Sequence, residues 1–546
     1  MELKTAQVIN TDVLAIGGGG AGLRAAIEAR KYGLSVLLVS ESRVGFRNNT
    51  AISGAGFAAV GIWKGHGDSP EAHLRDIVTA GRFINDRRMV ETVTRGAKQQ
   101  VYDLMRFGVN FRQRDGEILM RQQPGHSYPR HVNVEALRGV NITRPMRQYA
   151  AGMGIQFMEG ILVTKLLRAE DRVVGALGID DKGQVVVLNA KSTILATGGG
   201  GQLYLRTNNA IGMTGDGYAL AYEVGVTLRD MEFVQFYPTT WGKNGSKMCI
   251  YERLLPRDAT IRNSLGEDIL KRYGMDDFVS VTRDVLTRTI MQEIVAGRGI
   301  EGRVIFDLTT MPEEKARELY SSGLVRKGDY PDKVPVAPAV HFFIGGVKIN
   351  QNGETGVNGL YAAGEVCGGV HGANRLAGNA ITEMFVFGTI TGDVAATEAS
   401  KVGRIPPPPG EVAAEVERLI ALASGSGGGN LEQLQQSLKQ TMWDKVGVIR
   451  DRKGLENARR EIAALREQLR TVSLIDYRQL SQAVKLANML TVAEMVCRAA
   501  LTRTESRGAH YRDDYPEEDE RWLKVIEIHD QNGEMTLSVN PVNSSP

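Results

Sequence analysis

Gly17-Gly-Gly-Gly-Ala-Gly22 has the spacing G-x-G-x-x-G. Such a string does its chemistry through backbone. The first glycine permits a tight turn, Gly19 lets N–H groups reach a pyrophosphate, and Gly22 lets a helix and a strand pack closely. A helix starting there also turns its partial positive end toward the phosphates. Two later strings repeat the theme. Thr193-Ile-Leu-Ala-Thr-Gly-Gly-Gly200 reads as a strand running into a glycine turn, and Gly359-Leu-Tyr-Ala-Ala-Gly-Glu365 does the same and ends on an acid. Two-dinucleotide flavoproteins use late turns of this kind, the acid meeting the ribityl chain, so the three strings together favour FAD over a nicotinamide dinucleotide. Three side chains could supply other chemistry. Arg283 sits beside Asp284, His341 precedes Gly345-Gly346 where a side chain can project into a cleft, and Arg375 carries a planar fork suited to a carboxylate. By residue type alone, Arg283 reads as half of a salt bridge to Asp284 or another carboxylate.

The elements that must position these residues follow from apolar patterning. Asp12–Gly17 is a short apolar run and reads as a buried parallel strand, a helical pattern spans 23–32, and Val36–Val39 reads as a second strand. That order is a βαβ unit. The ribose-binding acid expected after the second strand falls at Ser40, a hydroxyl, with Glu41 adjacent. Residues 51–160 alternate helical patterns with glycine-rich loops. Four apolar runs, 161–164, 173–176, 185–188 and 192–195, read as strands. From Asp230 to Pro338 the pattern is irregular, and strand and helix signals then return to about 400. The expectation is an α/β chain. Its Rossmann-like, two-dinucleotide-binding domain (1–240 and 341–405) is interrupted by an inserted domain (241–340). Four prolines at 406–409 mark a boundary. Helical patterns at 411–423, 431–443, 454–471 and 477–503, with a flexible join at 424–429, predict a small bundle over 410–505. Residues 506–546 form a tail.

Composition sets outer bounds. The chain has 546 residues, 42% hydrophobic and 24% charged, with net charge +3. That is long enough for two to four domains and shows no basic stripe for nucleic acid. Cys249, Cys367 and Cys497 have no paired spacing, so they predict neither a disulfide framework nor an unaided iron–sulfur cluster. They suit a reducing compartment. Met1–Thr11 has no signal-peptide pattern and no apolar run is long enough to span a membrane.

Further strings, in order along the chain, carry a resemblance. They are Thr214-Gly-Asp-Gly217, Met231-Glu-Phe-Val-Gln-Phe-Tyr-Pro-Thr239, Thr282-Arg-Asp284, His341-Phe-Phe-Ile-Gly-Gly346, Gly372-Ala-Asn-Arg-Leu-Ala-Gly-Asn379, and Glu505-Ser-Arg-Gly-Ala-His510 followed by Arg512–Pro516. With the fingerprint, the chain resembles the flavoprotein subunits of succinate dehydrogenase and fumarate reductase. The resemblance implies an FAD domain, a mobile capping domain, a helical domain and a tail, with hydride transfer between flavin N5 and a dicarboxylate in the cleft between the first two. It implies Arg283 as the proton-transfer residue and Glu252 as the acid of its relay. It implies His341 and Arg375 as carboxylate binders, with Tyr237, Thr239 and Tyr251 in the substrate pocket. For the cofactor it implies Gly17, Gly19, Gly20, Ala21, Gly22, Ser40, Glu41, Asn48, Asn49, Thr50, Gly54, Val163, Thr197, Gly198, Asp216, Glu365, Arg375, Asn379, Ala380 and Ile381. No metal site is implied. The partners implied are a small carboxylic acid and an iron–sulfur subunit or other electron carrier. The location implied is cytoplasmic, or peripheral at the inner face of a membrane through a partner.

Several residues depart from the family pattern. Members with covalent flavin use a histidine where Asn49 stands, which predicts non-covalent FAD, a lower potential and a bias toward reducing the substrate. Tyr237 replaces a carboxylate-binding histidine, Tyr251 a threonine, and Leu255 the relay arginine, with Arg253 and Arg257 close by as substitutes. These changes point to an altered substrate. His126 and Arg130 in Gly125–His131 read equally as site residues or as a solvated loop. L-aspartate oxidase fits Asn49 but not Tyr237. The large subunit of adenylylsulfate reductase is a more distant alternative. A flavin electron-transfer subunit with a decayed pocket fits the two tyrosines and Leu255 but not Arg283, His341 and Arg375.

Overall fold

The computed structural model describes residues 3–62, 67–136, 138–275, 277–425 and 427–542. Of the segments read from sequence, Met1, Glu2, residues 63–66 and Leu137 of the 51–160 stretch, Asp276 of the inserted domain, Ser426 in the 424–429 join and 543–546 of the tail lie outside the described residues. The centre is a seven-stranded sheet. Lys4–Ile16 runs parallel to Val36–Ser40 on one side and to Gln184–Leu195 on the other. Gln156–Glu159 adds in parallel beyond Val36–Ser40, while Arg172–Ile179 and Leu162–Ala169 add antiparallel on the far side. Leu360–Ala362 pairs with the end of Gln184–Leu195, at Thr193–Leu195. Val13, Leu14, Ala15, Leu37, Leu38 and Val39 are all buried, as expected of parallel strands covered on both faces. Helices Gly20–Arg30 and Asn379–Lys401 pack on one another and on this sheet.

Two apolar runs read separately, 185–188 and 192–195, are one strand of 12 residues. Its edge toward Lys4–Ile16 is paired from Gln184 to Leu195, so the ladder carries through Asn189–Lys191 whatever the side chains there, while Arg172–Ile179 pairs only as far as Asn189. For the same reason the first strand starts at Lys4 rather than Asp12.

The stretch read as irregular contains a second sheet, antiparallel throughout. Its order is Lys247–Met248, Val234–Trp241, Lys333–Phe343, Val304–Asp307, Thr260–Arg262. The sheet has its own apolar core, including Leu254, Ile261, Leu286, Ile290, Phe306 and Val334, distinct from the core under the central sheet. Pro238, Pro335 and Pro338 lie inside its two long strands, and the pairing register shifts between Tyr237 and Thr240. Prolines in strand interiors erase the sequence signal of a strand.

Beyond the prolines, helices occupy Pro409–Ala423, Leu431–Lys445, Arg452–Leu469 and Tyr477–Thr502. Asn430, Asp451 and Asp476 cap the last three by accepting first-turn N–H groups. The tail is part of the fold. Lys524–Gln531 and Glu534–Pro541 form a hairpin that pairs with Leu228–Arg229, in a third sheet that also holds Gly346–Lys348 and Cys367–Gly368. Where helix and tail meet, Arg503 bonds Glu232 at 2.7 Å and Glu505 at 3.0 Å, and Arg507 bonds Glu505 at 2.7 Å. The Glu505–His510 string is therefore a buried clasp between the bundle and residue 232.

Candidate active site

One cavity runs from the glycine fingerprint to the second sheet. At its first end the wall is bare backbone. Helix Gly20–Arg30 starts at Gly19 with no capping side chain, and a Cβ on Gly19 would meet nothing nearer than 3.8 Å. Gly17 and Gly22 are different. Gly17 has φ +122°, and a Cβ on Gly22 would stand 2.0 Å from Gly17 O. Thr50 Oγ1 accepts from Gly20 N at 3.2 Å, and Asn48 caps the short helix Asn49–Ile52. Ser40, Glu41, Gly54 and Val163 also line the cavity, and Lys485 of the last helix pairs with Glu41. Asp216 accepts from Thr214 at 2.6 Å and from Asn488 at 2.8 Å, so that helix holds two acids at the cavity wall.

Further in, the late glycine turns meet. A Cβ on Gly199 would lie 2.2 Å from Glu365 Oε1, so that glycine makes room for the acid. Glu365 accepts from Asn49 Nδ2 at 3.0 Å and from Phe343 N at 3.2 Å. Burial raises its pKa to about 7 despite those bonds. Thr197 Oγ1 is buried and has no partner among the described residues. Thr197, Gly198, Ala380 and Ile381 line the same stretch. Asn379 does not. Its Oδ1 lies 2.9 Å from His73 Nε2, behind the wall.

At the second end, strand Val234–Trp241, helix Tyr251–Leu254 and helix Arg283–Glu293 converge. Arg283 occupies the first turn of its helix, where the helix dipole disfavours a cation. Its Nη2 donates to Glu252 Oε1 at 3.2 Å and its Nη1 to Gln235 Oε1 at 3.3 Å. Asp284 is not its partner: that carboxylate accepts from Thr282 and Asn374 and faces Arg82 at 3.5 Å. Tyr237 O–H donates to Glu252 Oε2 at 2.5 Å, and the Arg283 guanidinium lies 5.2 Å from the Tyr237 ring centre. Burial and the Glu252 charge push the Tyr237 phenol well up, so it keeps its proton.

His341 Nδ1 lies 3.1 Å from Asn208 Oδ1, and its ring centre is 5.4 Å from that of Tyr237. Burial, Arg283 and Arg375 hold the imidazole pKa well below its usual range. Arg375 lies over the Phe342 ring at 4.6 Å and bonds only Leu376 O, at 3.2 Å, while its Nε has no partner among the described residues. Gly345 permits the turn behind His341, since a Cβ there would stand 2.1 Å from Asp230 O.

Not every expected residue faces the cavity. Thr239 spends its hydroxyl on Cys249 O at 2.5 Å and lies outside it. Tyr251 donates to Val281 O and borders only a small adjoining void. His126 and Arg130 form neither a site nor a solvated loop. Arg130 is fully buried on Asp68 and Asp76, with its Nη1 3.1 Å from His126 Nδ1. Arg257 reaches Glu318 and Arg253 O and does not line the cavity, whereas Arg253 does. Sequence reasoning missed Gln235, Arg121 and His131. Arg121 and His131 are register partners on adjacent strands and both line the cavity. Their only signal was a polar string in a segment read as helices and loops.

Bare N–H groups at a helix start, hydroxyls, two asparagines and a buried acid fit an anionic pyrophosphate and a polyol chain. Similarity to known proteins agrees. A family model described as "FAD binding domain" matches residues 12–381, and one described as "Fumarate reductase flavoprotein C-term" matches 435–546. An uncharacterized FAD-dependent oxidoreductase of Methanocaldococcus jannaschii is 38% identical over 530 residues, covering 95% of this chain and 96% of its own. A fumarate reductase (CoM/CoB) chain of Methanothermobacter marburgensis is 35% identical over 535 residues, covering 95% and 97%. In structure, FrdA of E. coli quinol fumarate reductase matches with a TM-score of 0.90 at 28% identity, covering 99% of this chain and 98% of that one.

Proposed function

This chain belongs to the succinate dehydrogenase/fumarate reductase flavoprotein family, and from that premise we propose that it reduces the carbon–carbon double bond of a small unsaturated carboxylic acid. The observation that carries the reading is the Arg283–Glu252 pair, 3.2 Å apart, beside Arg375 and His341 on one cavity. FAD bound along the fingerprint end supplies a hydride when reduced. The chain's own residues do the rest. Arg375 clamps a substrate carboxylate through its unused N–H groups. His341 stands beside it, and an incoming carboxylate offsets the two guanidinium charges that keep the ring neutral. Arg283 delivers a proton to the carbon next to the one that takes the hydride. One hydride and one proton convert the alkene to the saturated acid. An arginine can serve as acid only if its proton is restored at once, and Glu252, bonded to it, is placed to do that. Closure of the inserted domain (241–340) on the cofactor domain excludes water from the transfer.

Asn49 uses its carboxamide on Glu365, Asn209 and Ala210 N. A carboxamide is no nucleophile, so the flavin is held non-covalently. Electrons arrive through a separate iron–sulfur subunit or another carrier, because the three cysteines are dispersed and cannot hold a cluster alone. No helix among the described residues is long and apolar enough to cross a membrane.

The test is anaerobic. The FAD-loaded protein is reduced chemically and mixed with fumarate, and the oxidised flavin spectrum should return. Arg283→Ala should keep its flavin and lose roughly a thousandfold or more in the reoxidation rate. If neither fumarate nor any other short unsaturated acid reoxidises the wild type, the reading fails. If Arg283→Ala reacts normally, the proton role fails.

A further inference from the structure

The last bundle helix, Tyr477–Thr502, reaches the cofactor cavity although it lies far from the cofactor domain in sequence. The family model for the cofactor domain ends at residue 381, and the C-terminal model that covers this helix begins at 435. Yet two acids on the cavity wall are held from this helix. Glu41 and Asp216 both line the cavity. Lys485 Nζ donates to Glu41 Oε1 across 444 positions of chain. Asn488 Nδ2 donates to Asp216 Oδ1 at 2.8 Å. Lys485 and Asn488 are neighbours on the helix surface, so a single turn presents both groups. Val492, one turn further, closes on the same loop: a Cβ on Gly215 would stand 3.2 Å from Val492 Cγ2.

Charge explains why such contacts are needed. A dinucleotide carries its pyrophosphate on the first helix and its adenosine past the end of the second strand. Carboxylates there can accept from the ribose hydroxyls and the exocyclic amine, but a bare carboxylate also repels the pyrophosphate dianion. Lys485 offsets the charge of Glu41, whose Oε2 is left without a partner among the described residues. Asp216 is more deeply placed. Burial pushes its pKa up and Glu41 adds to the rise, while the bonds from Thr214 and Asn488 and the charge of Lys485 hold it down. The helix thus supplies two of the three groups that favour the charged, accepting form of this acid.

Docking of the helix does not by itself call for these side chains. Leu480, Val484, Met489, Val492 and Val496 are buried and already supply the apolar contact. A tethered lysine and a buried asparagine add ordering and desolvation costs. We propose that Lys485 and Asn488 are positioning residues of the cofactor site, and that this one turn of the bundle holds Glu41 and Asp216 in place as acceptors for the adenosine half of FAD. The bundle then takes part in cofactor retention. The proposal depends on FAD binding and not on the reductase reading.

The full-length chain, stripped of flavin, is titrated with FAD and with FMN, which lacks the adenosine, and binding is read from flavin fluorescence. Lys485→Met should raise the FAD Kd by roughly fivefold, the size expected of one partly exposed charge pair. Asn488→Ala should raise it by roughly tenfold, since a buried acid loses a donor. Neither should move the FMN Kd. In a Glu41→Gln background Lys485→Met should add nothing further, because the lysine acts through that acid. An unchanged FAD Kd with a lowered Tm would reduce the contacts to a staple between domains and overturn the proposal, as would equal losses for FAD and FMN. Should Asn488→Ala fail to fold, the Lys485 variants carry the test. Should the wild type take no FMN, Lys485→Arg decides. It keeps the charge, so an FAD Kd close to that of the wild type upholds the proposal, and a loss equal to that of Lys485→Met overturns it.

Discussion

Tyr237 is the residue whose role changed most between sequence and structure. By type it offered one hydrogen bond to substrate. In the fold that bond goes to Glu252 at 2.5 Å, and the ring faces the cavity and Arg283. Tyr237 thus holds Glu252, the carboxylate bonded to the proposed proton donor Arg283. Tyr237→Phe should keep FAD and substrate affinity but lower kcat by roughly tenfold, since Glu252 loses a charge-assisted bond. A change confined to KM, with kcat intact, would show that the hydroxyl contacts substrate instead. The resemblance named both Arg283 and Glu252, but residue type and spacing alone did not pair them. The neighbouring Asp284 is the obvious candidate in sequence, yet Thr282 and Asn374 hold it turned away.

At the scale of elements, the fingerprint was fully legible because it is local. Strand, turn and helix are consecutive, and close backbone approach dictates the glycines. Gly22→Ala puts a methyl carbon 2.0 Å from Gly17 O, a contact no relaxation of a flexible side chain can relieve. The expected result is a protein purified with little flavin and a lowered Tm, read from the ratio of flavin to protein absorbance. Full flavin content would show that the turn is not as described. The bundle was equally legible, its four helices beginning and ending within about two residues of the periodic pattern. The inserted sheet was not, because prolines interrupt its strands and its partners lie as far apart in sequence as Val234 and Phe343.

The whole molecule buries acids that no single element explains. Glu383, in the helix under the cofactor cavity, is 2% exposed, and its Oε1 has no partner among the described residues. Burial, and then Glu365, raise its pKa from 4.5 to about 8. A carboxyl raised in this way costs nothing below about pH 4.5, where both states are protonated. As pH rises from there to about 8, the unfolded chain gives up its proton first and stability falls. Above about 8 the loss is complete. Glu383→Gln should remove that loss, so its gain in unfolding free energy over wild type should be larger at pH 9 than at pH 5, by an amount on the order of a few kcal/mol. Equal gains at both values would show that Glu383 is not held protonated.

The sequence by itself determined the cofactor cradle, the α/β class and the helical bundle, each written in local spacing or periodicity, while the proposed roles of Arg283, Glu252, His341 and Arg375 came from strings that resemble a family. Only the tertiary structure decided which groups meet. It took Thr239 and Asn379 out of the cavity, turned His126 and Arg130 into a buried ion network, and made the Glu505–His510 string a clasp. It also brought Arg121, from a two-residue strand, to the same cavity as Arg253. Those two are 132 positions apart, and their meeting depends on how the inserted sheet seats against the cofactor domain. Periodicity along the chain carries no record of such long-range contacts, because packing between elements, rather than propensity within them, fixes which side chains share a cavity.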